Sequence, residues 1–217
     1  MLSQRTLHHQ GSTRVFCPRP IAGDLAALVA AAGRLEGIDY RWELVPLDPG
    51  GRVELARDFA LQAFATDHVV PSLGLHLLRR RRKLRPELVG RAPAEIAALR
   101  SAGASVEAES EEVWLSYCGD TGAGVWKLAP RLPRSRVLMI ECTFLGEEQR
   151  AKGAAFGHLH LDDLVEHREA LAGHESIVLH HLSRRHAAAE LRAAVEARLP
   201  ELASRVFIWG EHPGAVE

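Results

Sequence analysis

No apolar run in the 217 residues reaches the length a membrane-spanning helix needs. The opening MLSQRTLHHQ lacks the apolar stretch at the centre of a signal peptide. Cysteine is scarce. Cys17, Cys118 and Cys142 are odd in number and far apart, which leaves neither a disulfide framework nor a C-x-x-C zinc pattern. Together these absences point to a reducing cytoplasm and to no membrane partner. Neither sign of charge is in excess. The formal net charge is −1, so no global field draws in nucleic acid, and any such contact must come from local patches. No repeat, low-complexity tract or long linker divides the chain, and its length suits a single domain over residues 1–217 or part of a larger one.

What is present is ordinary in bulk, with 47% hydrophobic and 25% charged residues, as in a globular protein. Histidine is the exception. There are 12, and seven of them fall between His158 and His186, a clustering that directs attention to metal or acid–base chemistry. Strand-like runs alternate with helical patterns. Val15 to Cys17, Tyr40 to Leu47, Val53 to Leu55, Phe59 to Thr66 and Ser72 to Leu78 read as strands, as do Val113 to Tyr117, Val137 to Ile140, Ile177 to Leu179 and Val206 to Trp209. Ile21 to Arg34, Pro93 to Ser101 and Ala187 to Leu199 read as helices. The first half is rich in strands, which favours a layered α/β or αββα sandwich over a simple doubly wound sheet.

Four strand-like segments end at a residue able to bind a metal or exchange a proton: His68, Asp120, Glu141 and His181. Functional groups gather beyond strand ends in layered α/β folds because rigid strands fix their positions. Imidazoles and carboxylates are zinc ligands, and a carboxylate has two oxygens with which to bridge two ions. Each residue taken alone also has a plain explanation. Asp120 in Gly-Asp-Thr-Gly shapes a turn, His68 sits in a loop, Glu141 caps a helix or pairs in the core, and His181 is a satisfied core histidine. Their joint occurrence at strand ends favours chemistry.

Five ordered segments resemble ribonuclease Z and related metallo-β-lactamase-fold proteins. Ser116-Tyr117-Cys118-Gly119-Asp120-Thr121 is similar to the S/Y-x-GDT motif, and Glu141-Cys142-Thr143-Phe144 to the E-A-T-F segment. Gly157-His158-Leu159-His160 stands where that family has its H-S/L-T histidine. Leu179 to His186 resembles L-x-H-x-S-x-R-Y, with His186 in place of the final Tyr, and the stretch from Thr66 to Leu75 resembles H-x-x-x-S-x-G-Y. The resemblance implies a metallo-β-lactamase-type αββα sandwich and a zinc-dependent hydrolase, a phosphodiesterase or endonuclease of the tRNA 3′-processing kind. It implies that His68 and His181 each bind one zinc ion and that Asp120 bridges both. His158, supported by Glu141, would give the proton to the leaving oxygen, since a carboxylate orients an imidazole and steadies a proton on it. Ser183 and Arg185 would hold a substrate phosphate.

The H-x-H-x-D-H string that supplies the family's other ligands is absent. His8-His9 does not replace it, and the motif belongs shortly before the segment matching Leu2 to Arg5. This predicts a fold incomplete at its N-terminus, about two protein ligands per zinc instead of three or more, and weak or absent metal occupancy. The segment that matches the family's RNA-binding arm lies between His68 and Asp120, 52 positions apart. It carries the basic run Arg79 to Lys83 but no glycine–proline tip, so the run is either a phosphate contact or a solvated strand end. Three functions compete: an RNA or phosphodiester hydrolase impaired in this chain, a non-catalytic scaffold or binding domain of the same fold, and a hydrolase of a small ester or thioester. An incomplete sandwich leaves an apolar sheet face, which predicts a homodimer or limited stability.

Overall fold

The structure, a computed structural model, describes residues 12–210, so His8-His9 and Leu2 to Arg5 lie outside the described residues. Among the described residues nine strands form two sheets. The smaller has two parallel strands, β1 (Thr13–Pro18) and β2 (Trp42–Leu47), joined by helix α1 (Ala22–Glu36). Pro18 and Pro20 end β1 as their missing N–H groups require, and α1 closes on Gly37 in the left-handed conformation. The apolar side of α1 is only half covered, and Leu28 and Leu35 face solvent.

The larger sheet has seven strands in chain order: β3 (Arg52–Ala56), β4 (Phe59–Ala65), β5 (Leu73–Leu84), β6 (Glu107–Tyr117), β7 (Val137–Glu141), β8 (Ser176–His180) and β9 (Val206–Ile208). The first four are antiparallel neighbours, and β6 to β9 are parallel. Strands β4, β6, β7 and β8 therefore run in one direction, and their C-terminal ends share one edge of the molecule. Between β5 and β6 lies helix α2 (Pro93–Ser101). Short helices follow, namely α3 (Val125–Leu128), α4 (Arg150–Phe156), α5 (Leu161–Glu166) and α6 (Arg168–Leu171), and then α7 (Ala188–Arg198).

The two faces of the sheet differ. The cross-strand row Ser116, Leu138, Ile177 and Val206 is buried and belongs to the side on which the hydrophobic core gathers, with Val125, Leu161, Leu171, Leu191 and Val195 from the helices. In the row one residue further on, Leu75, Met139 and Val178 are half-buried and Tyr117 and Phe207 are exposed. Side chains alternate along a strand, so a single sheet with helices on one side gives this pattern.

Strands β5 and β6 are longer than their apolar patterns suggest. Polar residues carry them on as a two-stranded ribbon, paired out to Leu84 opposite Glu107. The basic run therefore lies within a strand, opposite Ala108 to Glu112. Arg80 pairs with Glu54, Arg81 with Glu112 and Arg82 with Glu109. Arg79 lies 4.6 Å from the Trp114 ring centroid, against which Arg136 also packs at 4.4 Å. Cross-strand charge pairing accounts for this run as strand structure.

Candidate functional site

The shared strand edge brings the sequence-derived residues together. Glu141 is the last residue of β7, His181 follows β8, Asp120 follows β6, and His68 lies in the loop after β4. His158 arrives from α4. That helix ends at Gly157 in the left-handed conformation, and the chain then pairs beside Phe144 through a bridge to His160.

Glu141 is completely buried and organises the site. Its Oε1 accepts the Thr121 N–H at 2.6 Å and the Nδ1–H of His158 at 2.9 Å. Its Oε2 accepts the Thr143 hydroxyl at 2.5 Å and the Leu159 N–H at 3.1 Å. Four donors meet the needs of a carboxylate that water does not reach. With Nδ1 committed to Glu141, the Nε2 of His158 is left to act in the cleft.

A second histidine is oriented through the same carboxylate. The Thr143 Oγ1 lies 3.0 Å from the Nδ1 of His181 and 3.0 Å from its carbonyl oxygen. A hydroxyl has one proton, and the charged Glu141 oxygen at 2.5 Å takes it. The Nδ1–H of His181 then donates to Thr143, and Nε2 keeps its lone pair. His181 is the one non-glycine residue with positive φ, 58°, among the described residues. Such a conformation is costly and concentrates at functional sites. It turns His181 back toward Asp120, whose Oδ1 lies 3.6 Å from Nδ1.

His68 is held from behind. Its Nδ1–H donates to the Gly157 carbonyl at 3.1 Å, which leaves Nε2 free. The His68 and His158 rings meet edge-on with centroids 5.0 Å apart, and His158 stacks with His181 at 5.2 Å. The neighbouring Asp67 was not singled out by sequence, yet it fastens this loop to the Asp120 loop. Its N–H donates to Thr121 Oγ1 at 2.9 Å, its carbonyl accepts Gly122 N–H at 2.6 Å, and its Oδ2 accepts Gly124 N–H at 2.8 Å. A Cβ at position 124 would stand 2.6 Å from Asp67 Oδ2, and one at 157 would stand 2.9 Å from the His68 Cα. These glycines allow three loops to close on one another, and the Gly-Asp-Thr-Gly-Ala-Gly spacing was the available sequence signal.

Ligand atoms of Asp120, His158 and His181 all lie within 4.8 Å of one another, so this group could hold a metal ion. One carboxylate and two imidazoles form a coherent donor set for a borderline divalent cation, and the residues present fit such an ion. His158 belongs to the converging triad, and His68 stands beside it. Ser183 and Arg185 line the same cleft of about 770 Å³, together with His68, Thr143, His158 and His181.

The other members of the histidine cluster are structural. His160 accepts the Asp162 N–H at Nδ1 and donates to the Gly146 carbonyl from Nε2, so both nitrogens are used. His167 stacks on Trp126, and His174 bonds the Ser135 carbonyl inside the core. His186 bonds Glu190 and Gln149. His180 stacks on Tyr117 with its Nε2 buried and unpartnered, and burial, followed by the neighbouring His181, pushes its pKa below the usual histidine range. Burial, followed by the nearby Glu141, raises the thiols of Cys118 and Cys142 far above their ordinary range, which keeps both protonated.

Residues 1–181 match the family model described as a beta-lactamase superfamily domain. The chain is 27% identical over 210 residues to the chloroplastic tRNase Z TRZ2 of Arabidopsis thaliana, covering 95% of this chain and 59% of that protein. It is 28% identical over 209 residues to tRNase Z TRZ1 of the same plant, covering 95% and 74%. The chain thus spans about three-fifths of the length of the first relative and three-quarters of the second. Among solved structures, human tRNase Z, short form, superposes with a TM-score of 0.54 at 16% identity, covering 95% of this chain and 68% of that one. The metallo-beta-lactamase fold protein YhfI from Bacillus subtilis gives 0.53 at 12% identity, covering 95% and 66%. Fold, motif order and family match agree: the chain belongs to the beta-lactamase superfamily, with a metallo-β-lactamase fold of the ribonuclease Z-like kind.

Proposed function

We propose that the chain, as a single domain, is a metal-dependent phosphodiesterase acting on RNA, and that the metal is zinc. The observation that carries this reading is the convergence of Asp120, His158 and His181 donor atoms within 4.8 Å, beside the saturated Glu141 carboxylate. The similarity to two tRNase Z proteins supports RNA as the substrate class. Asp120, His181 and His68 are the proposed ligands. A bound zinc ion supplies a water of lowered pKa and a Lewis acid for the phosphoryl oxygen. The chain's own residues do the rest. Glu141 fixes the His158 ring through Nδ1, so that Nε2 carries a proton toward the leaving oxygen. Ser183 and Arg185 orient the phosphate at the cleft wall.

One observation favours a second role for His158. The triad that converges includes it, and three protein ligands with one open position is the ordinary catalytic zinc site. A carboxylate behind an imidazole serves a ligand as well as it serves an acid. Zinc titration followed by hydrolysis of a 3′-extended RNA tests the proposal. Zinc bound at an equimolar ratio, with both binding and cleavage lost in Asp120→Ala, is the expected result. A chain that takes up no zinc and cleaves nothing favours the non-catalytic scaffold, and cleavage of thioesters alone favours the small-ester hydrolase.

A further inference from the structure

The cleft has an aromatic and cationic wall of which the proposed chemistry uses only Arg185. Helix α4 ends at Phe156, which lines the cleft together with His68 and His158 and is 52% exposed. Val69, just past His68, lines the same cleft and is 63% exposed. A large flat side chain half in water beside the candidate catalytic histidines adds little to the core. Lys152 stands one turn before it on the same helix face, with Nζ 5.9 Å from the Phe156 ring centroid. Lys152, Arg184 and Arg185 all line the cleft, and among the described residues none of the three forms an ion pair. The arginines on the ribbon differ, since Arg80, Arg81 and Arg82 are each matched by a glutamate.

A single-stranded polynucleotide alternates phosphates with flat bases. A strip of cations bordering an exposed ring matches that alternation, because every base has a π-face and every link a charge. We propose that Phe156, flanked by Lys152, is the platform on which a nucleobase next to the scissile phosphodiester stacks, so the cleft selects single-stranded polynucleotide over small phosphodiesters. This rests on the phosphodiesterase reading for the site, but its test can be separated from it.

The probe is a fluorescein-labelled single-stranded oligoribonucleotide of about eight nucleotides, a length within single-strand site sizes. Binding to the full chain is followed by anisotropy in EDTA, where hydrolysis cannot intervene. Phe156→Ala should weaken binding roughly 5- to 150-fold, and Phe156→Trp should restore it. Lys152→Ala should flatten the slope of log affinity against log salt by about 0.7. An oligonucleotide made abasic at one position should reproduce the Phe156→Ala loss. Wild-type affinity in Phe156→Ala, or no rescue by Trp, overturns the platform. If RNA binding depends on Phe156 but the zinc-loaded chain cleaves no phosphodiester, the hydrolase reading fails and the platform stands. If the chain cleaves RNA and Phe156→Ala binds normally, the reverse holds.

Discussion

Thr143 is a small residue with a large positional effect. It links Glu141 to His181, and the assignment of its single proton decides which nitrogen of His181 keeps a lone pair. Thr143→Val keeps the shape and removes the link. Zinc affinity should fall about 10- to 100-fold, with recovery in Thr143→Ser, as isothermal titration would show. His158→Gln separates the two roles open to that residue. As a proton donor, its loss lowers kcat by about 100- to 10,000-fold with zinc affinity nearly unchanged. As a ligand, its loss weakens zinc binding itself.

His76 makes a different prediction at the same scale. It is 2% exposed, and its Nδ1 pairs with Ser116 Oγ at 2.8 Å. Burial, followed by Arg131, lowers its pKa from 6.5 to about 4. The folded state therefore resists a proton that the unfolded chain accepts. Stability tied to neutral His76 is complete above pH 6.5, declines as pH falls, and is fully lost once pH passes below about 4. Thermal melts across that window should show a shallower pH slope in His76→Gln than in the wild type. Equal slopes would remove His76 from the account.

At the scale of elements, the ribbon carries its own prediction. Arg81 and Arg82 are matched to Glu112 and Glu109 across β5 and β6. Replacing both with alanine should cost within about 1 kcal/mol per pair in urea unfolding. It should also leave the salt slope of RNA binding unchanged, because these charges are already neutralised. A slope reduced by the double variant would return the ribbon to the nucleic-acid surface.

The sequence made the strand ends readable because apolar patterning stops where the sheet stops, at Tyr117 and, one residue short of the end of β7, at Ile140. It hid the outer halves of β5 and β6, where charged pairs hold the ladder and apolar periodicity has nothing to report. Helices α3 to α6 were hidden too, since four to seven residues are too few to display a helical period. His68, Asp120, Glu141, His158 and His181 could be named from motifs. Asp67 and Gly157 could not be given their parts, because their significance lies in contacts between loops distant in sequence. The clustering of histidines overstated the chemistry, since His160, His167, His174 and His186 each bond to structural partners.

For the whole molecule, the open face of the large sheet sets the expectation. Leu75, Leu77, Leu115, Met139 and Val178 are half-buried on it, Tyr117 and Phe207 are exposed, and Trp209 just past β9 is 73% exposed. A contiguous apolar surface of this kind favours self-association. Sedimentation equilibrium should show a dimer, or thermal melting should show a weakly stable chain. A monomer that melts at high temperature would contradict both. No helix among the described residues is long and apolar enough to cross a membrane.

The convergence of Asp120, His158 and His181 also bears on the order in which the chain takes shape. The three arrive from the end of β6, from the loop after α4 and from the end of β8, so no single hairpin or helix pair contains the set. An ion held there can be captured only after the parallel half of the sheet has assembled. Capture is then a late event, and its free energy is added to the finished sheet and withheld from every partly folded form. A cell short of that ion would accumulate the folded apo chain, whose three ligand-bearing loops open and reclose more often, and protease sensitivity at the Asp120 and His181 loops would follow the supply of metal.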